Sequence, residues 1–199
     1  MPQVRGIIFD MDGTLVDSRL DFDAMRLEMG LPVGVPILEA LADVPEGPAR
    51  EQMLKTMWMH EQRGADAAVL FDGVTEFLSH IDERGISTAV LTRNSRKSTD
   101  RTLQRLNLSF SQVVTREDAP PKPDPTGVRM IAERWGLPAH QIIVIGDYVY
   151  DLRAGRNAGM RSVLFAPDSL PHFANEADFI LRHFRDAVSL LEQLHLSAE

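Results

Sequence analysis

Residues 4–17 read VRGIIFDMDGTLVD, so a short apolar run delivers two carboxylates, Asp10 and Asp12, with one residue between them. Two more, Asp147 and Asp151, stand in GDYVYD after the run IIVI. Between these pairs lie Thr92, Arg93 and Asn94, and then Lys122 in the proline-rich EDAPPKPDP. Four carboxylates sharing one crevice repel each other and push pKa values up until a proton or a cation relieves them. A hard divalent cation with oxygen ligands does so. Mg2+ suits the role, because it accepts few protein carboxylates and keeps waters and a substrate phosphate oxygen. The chain has no cysteine, and no histidine falls in any of the four pieces, so zinc does not fit.

These residues need elements to position them. Residues 6–9, 88–91, 112–114, 142–145 and 162–165 form short, almost unbroken apolar runs, as expected of strands covered on both faces. The intervening stretches 73–85, 95–107, 124–136 and 150–159 carry helical spacing, and several end at Gly or Asn. Such alternation predicts an α/β fold, a doubly wound parallel sheet with crossover helices. Functional crevices in these sheets lie at the carboxyl ends of the strands, where all four pieces would gather. Residues 19–70 break the alternation: no good strand appears, and Met53, Leu54, Met57 and Trp58 make a stripe at helical spacing. This predicts a small inserted α-helical unit with its own core, set between core segments 1–18 and 71–199. His60, just after the stripe, is expected to be exposed.

Composition narrows the function. With 199 residues, 44% hydrophobic and 25% charged, the chain has material for one large domain or one domain carrying an insertion. A net charge of −8 argues against nucleic acid as the main partner, since phosphate backbones are held by clustered Lys and Arg. It leaves room for a small phosphorylated metabolite, for which one metal ion and a few local cations suffice. Without cysteine, disulfides and thiolate catalysis are excluded. No apolar stretch approaches the roughly 20 residues that span a bilayer. The first one stops at Phe9, short of a signal-peptide core, so the cytoplasm is the expected location. Monomer and homodimer both stay open.

The four pieces DMDGT, LT, the lysine of PPKPDP and GDYVYD, in this order, resemble the haloacid dehalogenase-like (HAD) hydrolase superfamily. The following LRAGRNAGM looks like its phosphoglycolate phosphatase-like branch, and the insertion after DGTLVDS stands where those proteins carry a helical cap. The resemblance spans roughly residues 4–18 and 72–185 and is thin in the insertion. It implies a Rossmann-like core and a Mg2+-dependent phosphatase of a small metabolite: phosphoglycolate, a sugar phosphate or a nucleotide monophosphate. By the same resemblance Asp10 would be the nucleophile and Asp12 the general acid and base. The Asp12 backbone carbonyl would join Asp10 and Asp147 on the metal, and Asp151 would either support the metal through water or orient Lys122. Thr92 and Lys122 would hold the phosphoryl oxygens, with Gly13, Arg93 and Asn94 near the substrate. Arg26, where the chain enters the insertion, is a candidate reader of a substrate carboxylate or second phosphate. Two alternatives remain: a phosphomutase, and a non-catalytic domain that only accepts phosphate on Asp10. Dehalogenation is disfavoured, because the dehalogenases lack the second aspartate.

Overall fold

The computed structural model describes residues 3–196, with side chains as far as Leu194. In chain order the elements are β1 (Gly6–Phe9), β2 (Val16–Asp17), α1 (Phe22–Glu28), α2 (Ile37–Ala42), α3 (Pro48–Ala67) and β3 (Val69–Leu70). Then come α4 (Val74–Glu83), β4 (Ser87–Leu91), α5 (Arg96–Arg105), β5 (Gln112–Val114), α6 (Thr126–Trp135) and β6 (Ile142–Gly146). The chain closes with α7 (Val149–Asn157), β7 (Arg161–Phe165), β8 (Phe179–Leu181) and α8 (Ala187–Leu196).

Six strands form one parallel sheet in the order β5-β4-β1-β6-β7-β8. β1 is buried along its whole length, and its side chains alternate between two cores. Ile7 and Phe9 pack with Ile143, Ile145, Phe77 and Ile81 of α4, and Leu191 of α8. Ile8 and Val144 point the other way, toward Val128 and Ile131 of α6 and Ala154 of α7. Two packed faces account for strands that read as unbroken apolar runs. The sheet is a doubly wound, Rossmann-like one, with β1 in a central position and crossovers leaving to either side. β8 and α8 extend it beyond the expected elements. β8 carries one buried residue in three, so no apolar run announces it.

α1–α3 lie between β2 and β3, which pair antiparallel as Val16 with Leu70 and Asp17 with Val69. Two-residue strands are too short to show a period, and the sequence reading placed no strand there. Met25, Ile37, Leu41 and Met57 form the helices' own core, with Met53 packed against it. The expected stripe divides. Met53 and Met57 face inward, whereas Leu54 and Trp58, one position further round α3, are partly exposed, and the Lys97 ammonium lies 4.8 Å from the Trp58 ring centre. His60 is buried, against expectation, because it follows Met57 by three positions and shares its face. Its Nε2 lies 3.1 Å from a Glu28 carboxylate oxygen, but not aligned for a hydrogen bond. Among the described residues no helix is long and apolar enough to cross a membrane.

Candidate active site

Strand register decides what gathers at the edge. Phe9 pairs with Val90 on one side and Ile145 on the other, and Leu91 pairs with Val114. Asp10, Thr92 and Asp147 therefore emerge together where the strands stop. Two backbone bonds continue the ladder past this point: Asp10 N donates to Ile145 O at 2.9 Å, and Thr92 N to Val114 O at 3.0 Å.

Lys122 comes in from the loop after β5 with its side chain only 4% exposed, which rules out a solvated surface lysine. Its ammonium donates to Asp10 Oδ1 at 2.5 Å, Asp151 Oδ1 at 2.6 Å and the Leu91 carbonyl at 2.8 Å. All three hydrogens are thereby used. The other Asp151 oxygen accepts from Tyr148 N at 3.1 Å, which fixes Asp151 at the start of α7. Thr14 Oγ1 donates to Asp147 Oδ1 at 3.2 Å. Gly13 has a left-handed φ of 81°, and a Cβ there would run into the Asp147 carboxylate, so only glycine fits. A Cβ on Gly146 would strike Asp151 in the same way.

Asp10, Asp147 and Asp151 each offer an oxygen within 4.8 Å of the others. Burial raises the Asp10 pKa well above the ordinary carboxylate range. Lys122 opposes this, while Asp151, Asp147 and Asp12 add to it. Asp147 is pushed up to about 7 by burial and then by Asp151. Burial works against a charged Lys122, but the Asp10 and Asp151 carboxylates outweigh it and raise the lysine's pKa. One ammonium does not neutralise three carboxylates, and an all-oxygen donor set with surplus negative charge fits a hard divalent cation.

Asp12, expected to offer the metal only its backbone carbonyl, keeps its side chain out of this cluster. Asn94 Nδ2 donates to Asp12 Oδ2 at 2.6 Å. Burial lifts the Asp12 pKa to about 6, partly offset by hydrogen bonds from Ser18 and Asn94. Thr92 Oγ1 accepts from Asn94 N at 3.1 Å, so Thr92 and Asn94 brace each other. Arg93 turns to the loop and the inserted helices: Nη1 donates to the Lys122 carbonyl at 2.6 Å, and Nη2 donates to both Glu39 oxygens, at 2.9 and 2.7 Å. Arg26 borders the cavity but is tied down, with Nε on the Val35 carbonyl and Nη1 on Asp23, both at 2.8 Å. Its role as a free substrate reader is not what the geometry shows.

Sequence reasoning missed Glu39 and Glu61. Glu61, on α3 and 4% exposed, accepts from Ser95 Oγ at 2.6 Å and pairs with Arg116. These ties fasten α3 to the sheet domain. Neither glutamate has a spacing that marks it among the other acids. Together the strand ends and the inserted helices enclose a cavity of about 440 Å3.

A parallel doubly wound sheet carrying acidic and basic groups together on its carboxyl edge is the arrangement of an α/β enzyme with its site at the strand ends. The family model for haloacid dehalogenase-like hydrolases matches residues 7–165, and the chain belongs to that family. Its relatives include N-acetylmuramic acid 6-phosphate phosphatase of Pseudomonas aeruginosa, 27% identical over 96% of this chain and 96% of the relative. Pyrophosphatase PpaX of Bacillus velezensis is 26% identical over 94% and 96% of the two chains. A phosphoglycolate phosphatase of Pseudomonas savastanoi is 28% identical over 79% and 67%. Among solved structures, a hydrolase from Pseudomonas syringae superposes with a TM-score of 0.79 at 21% identity, covering 95% of this chain and 98% of that one. YfnB from Bacillus subtilis, solved bound to magnesium, superposes with a TM-score of 0.70 at 17% identity, covering 95% and 99%. The chain is therefore a member of a hydrolase family, several of whose relatives are named phosphatases.

Proposed function

We propose that the protein is a Mg2+-dependent phosphatase of a small phosphorylated metabolite, working through a phosphoryl group carried on Asp10. In this reading residues 19–70 act as a cap over a core made of residues 1–18 and 71–199. The observation that carries it is the set of three carboxylate oxygens within 4.8 Å of one another beside a buried lysine ammonium. Asp10, Asp147, Asp151 and the Asp12 backbone carbonyl would hold or support the ion. When bound, it supplies positive charge that lets carboxylates and a phosphate share the site. YfnB's magnesium and the phosphatase names of the relatives agree with the reading.

The chain's own residues would divide the chemistry as follows. An Asp10 carboxylate oxygen forms a bond to phosphorus as the bond to the leaving alkoxide breaks. Asp12, with its pKa lifted to about 6, gives its proton to that alkoxide. Asp12 then takes a proton from the water that attacks phosphorus, releasing phosphate and restoring the Asp10 carboxylate. Asn94 keeps Asp12 on station, and Thr92, Lys122 and the amides near Gly13 hold the phosphoryl oxygens, so most of the catalysis is alignment and charge neutralisation. A panel of phosphorylated metabolites assayed for released phosphate tests this. Turnover should need Mg2+, stop with chelator and return when Mg2+ is restored. Undiminished turnover after complete metal removal would refute it.

A further inference from the structure

The cavity has two chemically different halves. Its inner half is the charged strand edge. Its outer half is bordered by Phe22, Met25, Ile37 and Met57 of the inserted helices and by Tyr148 and Tyr150. A volume of about 440 Å3 is far more than a two-carbon acid fills and lies in the range of sites that enclose ring-sized ligands.

The cations bordering the cavity are Arg26, Arg93 and Lys122, and each is already engaged. Lys122 belongs to the inner half, bonded to Asp10, Asp151 and a carbonyl beside the phosphoryl position, and Arg26 is held by Asp23 and the Val35 carbonyl. Arg93 is clamped by both Glu39 oxygens, by its bond to the Lys122 carbonyl, and by its position 4.8 Å from the Tyr150 ring centre. The Glu39 charge extends to the ring: burial and then Glu39 raise the Tyr150 phenol's pKa. Arg93 borders the cavity with Glu39 behind it, so an anionic group arriving in this half could pair with Arg93 only by displacing its charge-assisted bonds to Glu39.

Resting on the phosphatase reading, we infer that Glu39 is a specificity-determining residue that withholds Arg93 from the leaving group, so that the site selects phosphate esters of neutral, ring-sized alcohols over esters whose alcohol carries a carboxylate or a further phosphate. Selectivity of this kind is a difference between two affinities, and the repulsive element sets it as much as any attractive one.

The test is kcat/KM with Mg2+ for matched pairs: 2-hydroxyethyl phosphate against phosphoglycolate, and N-acetylglucosamine 6-phosphate against N-acetylmuramic acid 6-phosphate. In the first pair a carboxylate replaces a hydroxymethyl group, and in the second the anionic member adds a lactyl ether that bears a carboxylate. The native protein should prefer each neutral member by about tenfold, a difference of about 1.4 kcal/mol, and the preference should weaken as salt rises. The ring pair should outrun the two-carbon pair. Glu39→Gln should shift each ratio toward the anionic member by about tenfold, whereas Glu39→Asp, which keeps the charge, should stay nearer the native ratio. A native preference for the anionic members, no difference within the pairs, or a Glu39→Gln change that is equal for both members would each overturn the inference. The native ratios decide even if a variant fails to fold. p-Nitrophenyl phosphate separates the two levels. If it is hydrolysed while the pairs run the wrong way, only the Glu39 inference falls. If no ester is hydrolysed, the phosphatase reading falls and takes this inference with it.

Discussion

The floor and the roof of the cavity are secured differently. On the floor, Lys122 has three acceptors, two of them carboxylates, and Asp151 is held at both oxygens. In the roof, α1 and α2 pack through Met25, Ile37 and Leu41, and among the described residues the polar link from α2 to the core is the partly exposed pair Glu39–Arg93. α3 stands between the two regimes, with Met57 in the roof core and Glu61 bound to Ser95 and Arg116. Interlocked charges define one geometry, whereas an apolar roof with a surface pair tolerates rearrangement. On the proposed reading, reaction chemistry belongs to the floor and discrimination to the roof.

The contrast can be broken in graded steps. Replacing the proposed nucleophile of the floor should have the largest effect: Asp10→Asn should lower kcat by about a thousandfold or more, read as phosphate release under saturating ester. Lys122→Met should come next. It leaves Asp10 and Asp151 without their shared cation and should cost the metal-free chain about 3–5 kcal/mol, measured by urea unfolding, with Mg2+ recovering part of the loss. Glu61→Ala should cost about 3 kcal/mol by stranding Arg116, while turnover of a simple ester falls far less than in Asp10→Asn. The mildest change should be Met57→Ala, at about 2–3 kcal/mol. Hydrogen exchange should then quicken in α1 and α2 while β1 and β6 keep their protection. Equal quickening in the sheet would show that roof and floor unfold as one unit.

The same divide separates what the sequence revealed from what it hid. Asp10, Thr92, Lys122 and Asp147 were legible because each follows an apolar run, and parallel strands must bring such residues to one edge. That Lys122 is buried could not be read from a proline-rich loop, since it depends on partners 112 and 29 residues away. Glu39 and Glu61 were invisible for a related reason. Each is one acid among many on a helix, and its meaning comes from Arg93 or Arg116 across a tertiary interface. β8 and α8 were passed over because a half-exposed edge strand carries little apolar signal. Local pattern reports what a segment does by itself, and the roof's function lies in what it meets.

The ribbon formed by β2 and β3 has a consequence for how such a protein can change. With Val16 opposite Leu70 and Asp17 opposite Val69, the chain's departure from the sheet domain and its return are neighbours, about 5 Å apart. A segment that leaves and rejoins through adjacent doorways can be lengthened, trimmed or exchanged without displacing a single strand of the platform beneath it. The roof is in that sense a replaceable fitting, and, on the proposed reading, a new clientele of esters could be acquired without touching the machinery that cleaves them.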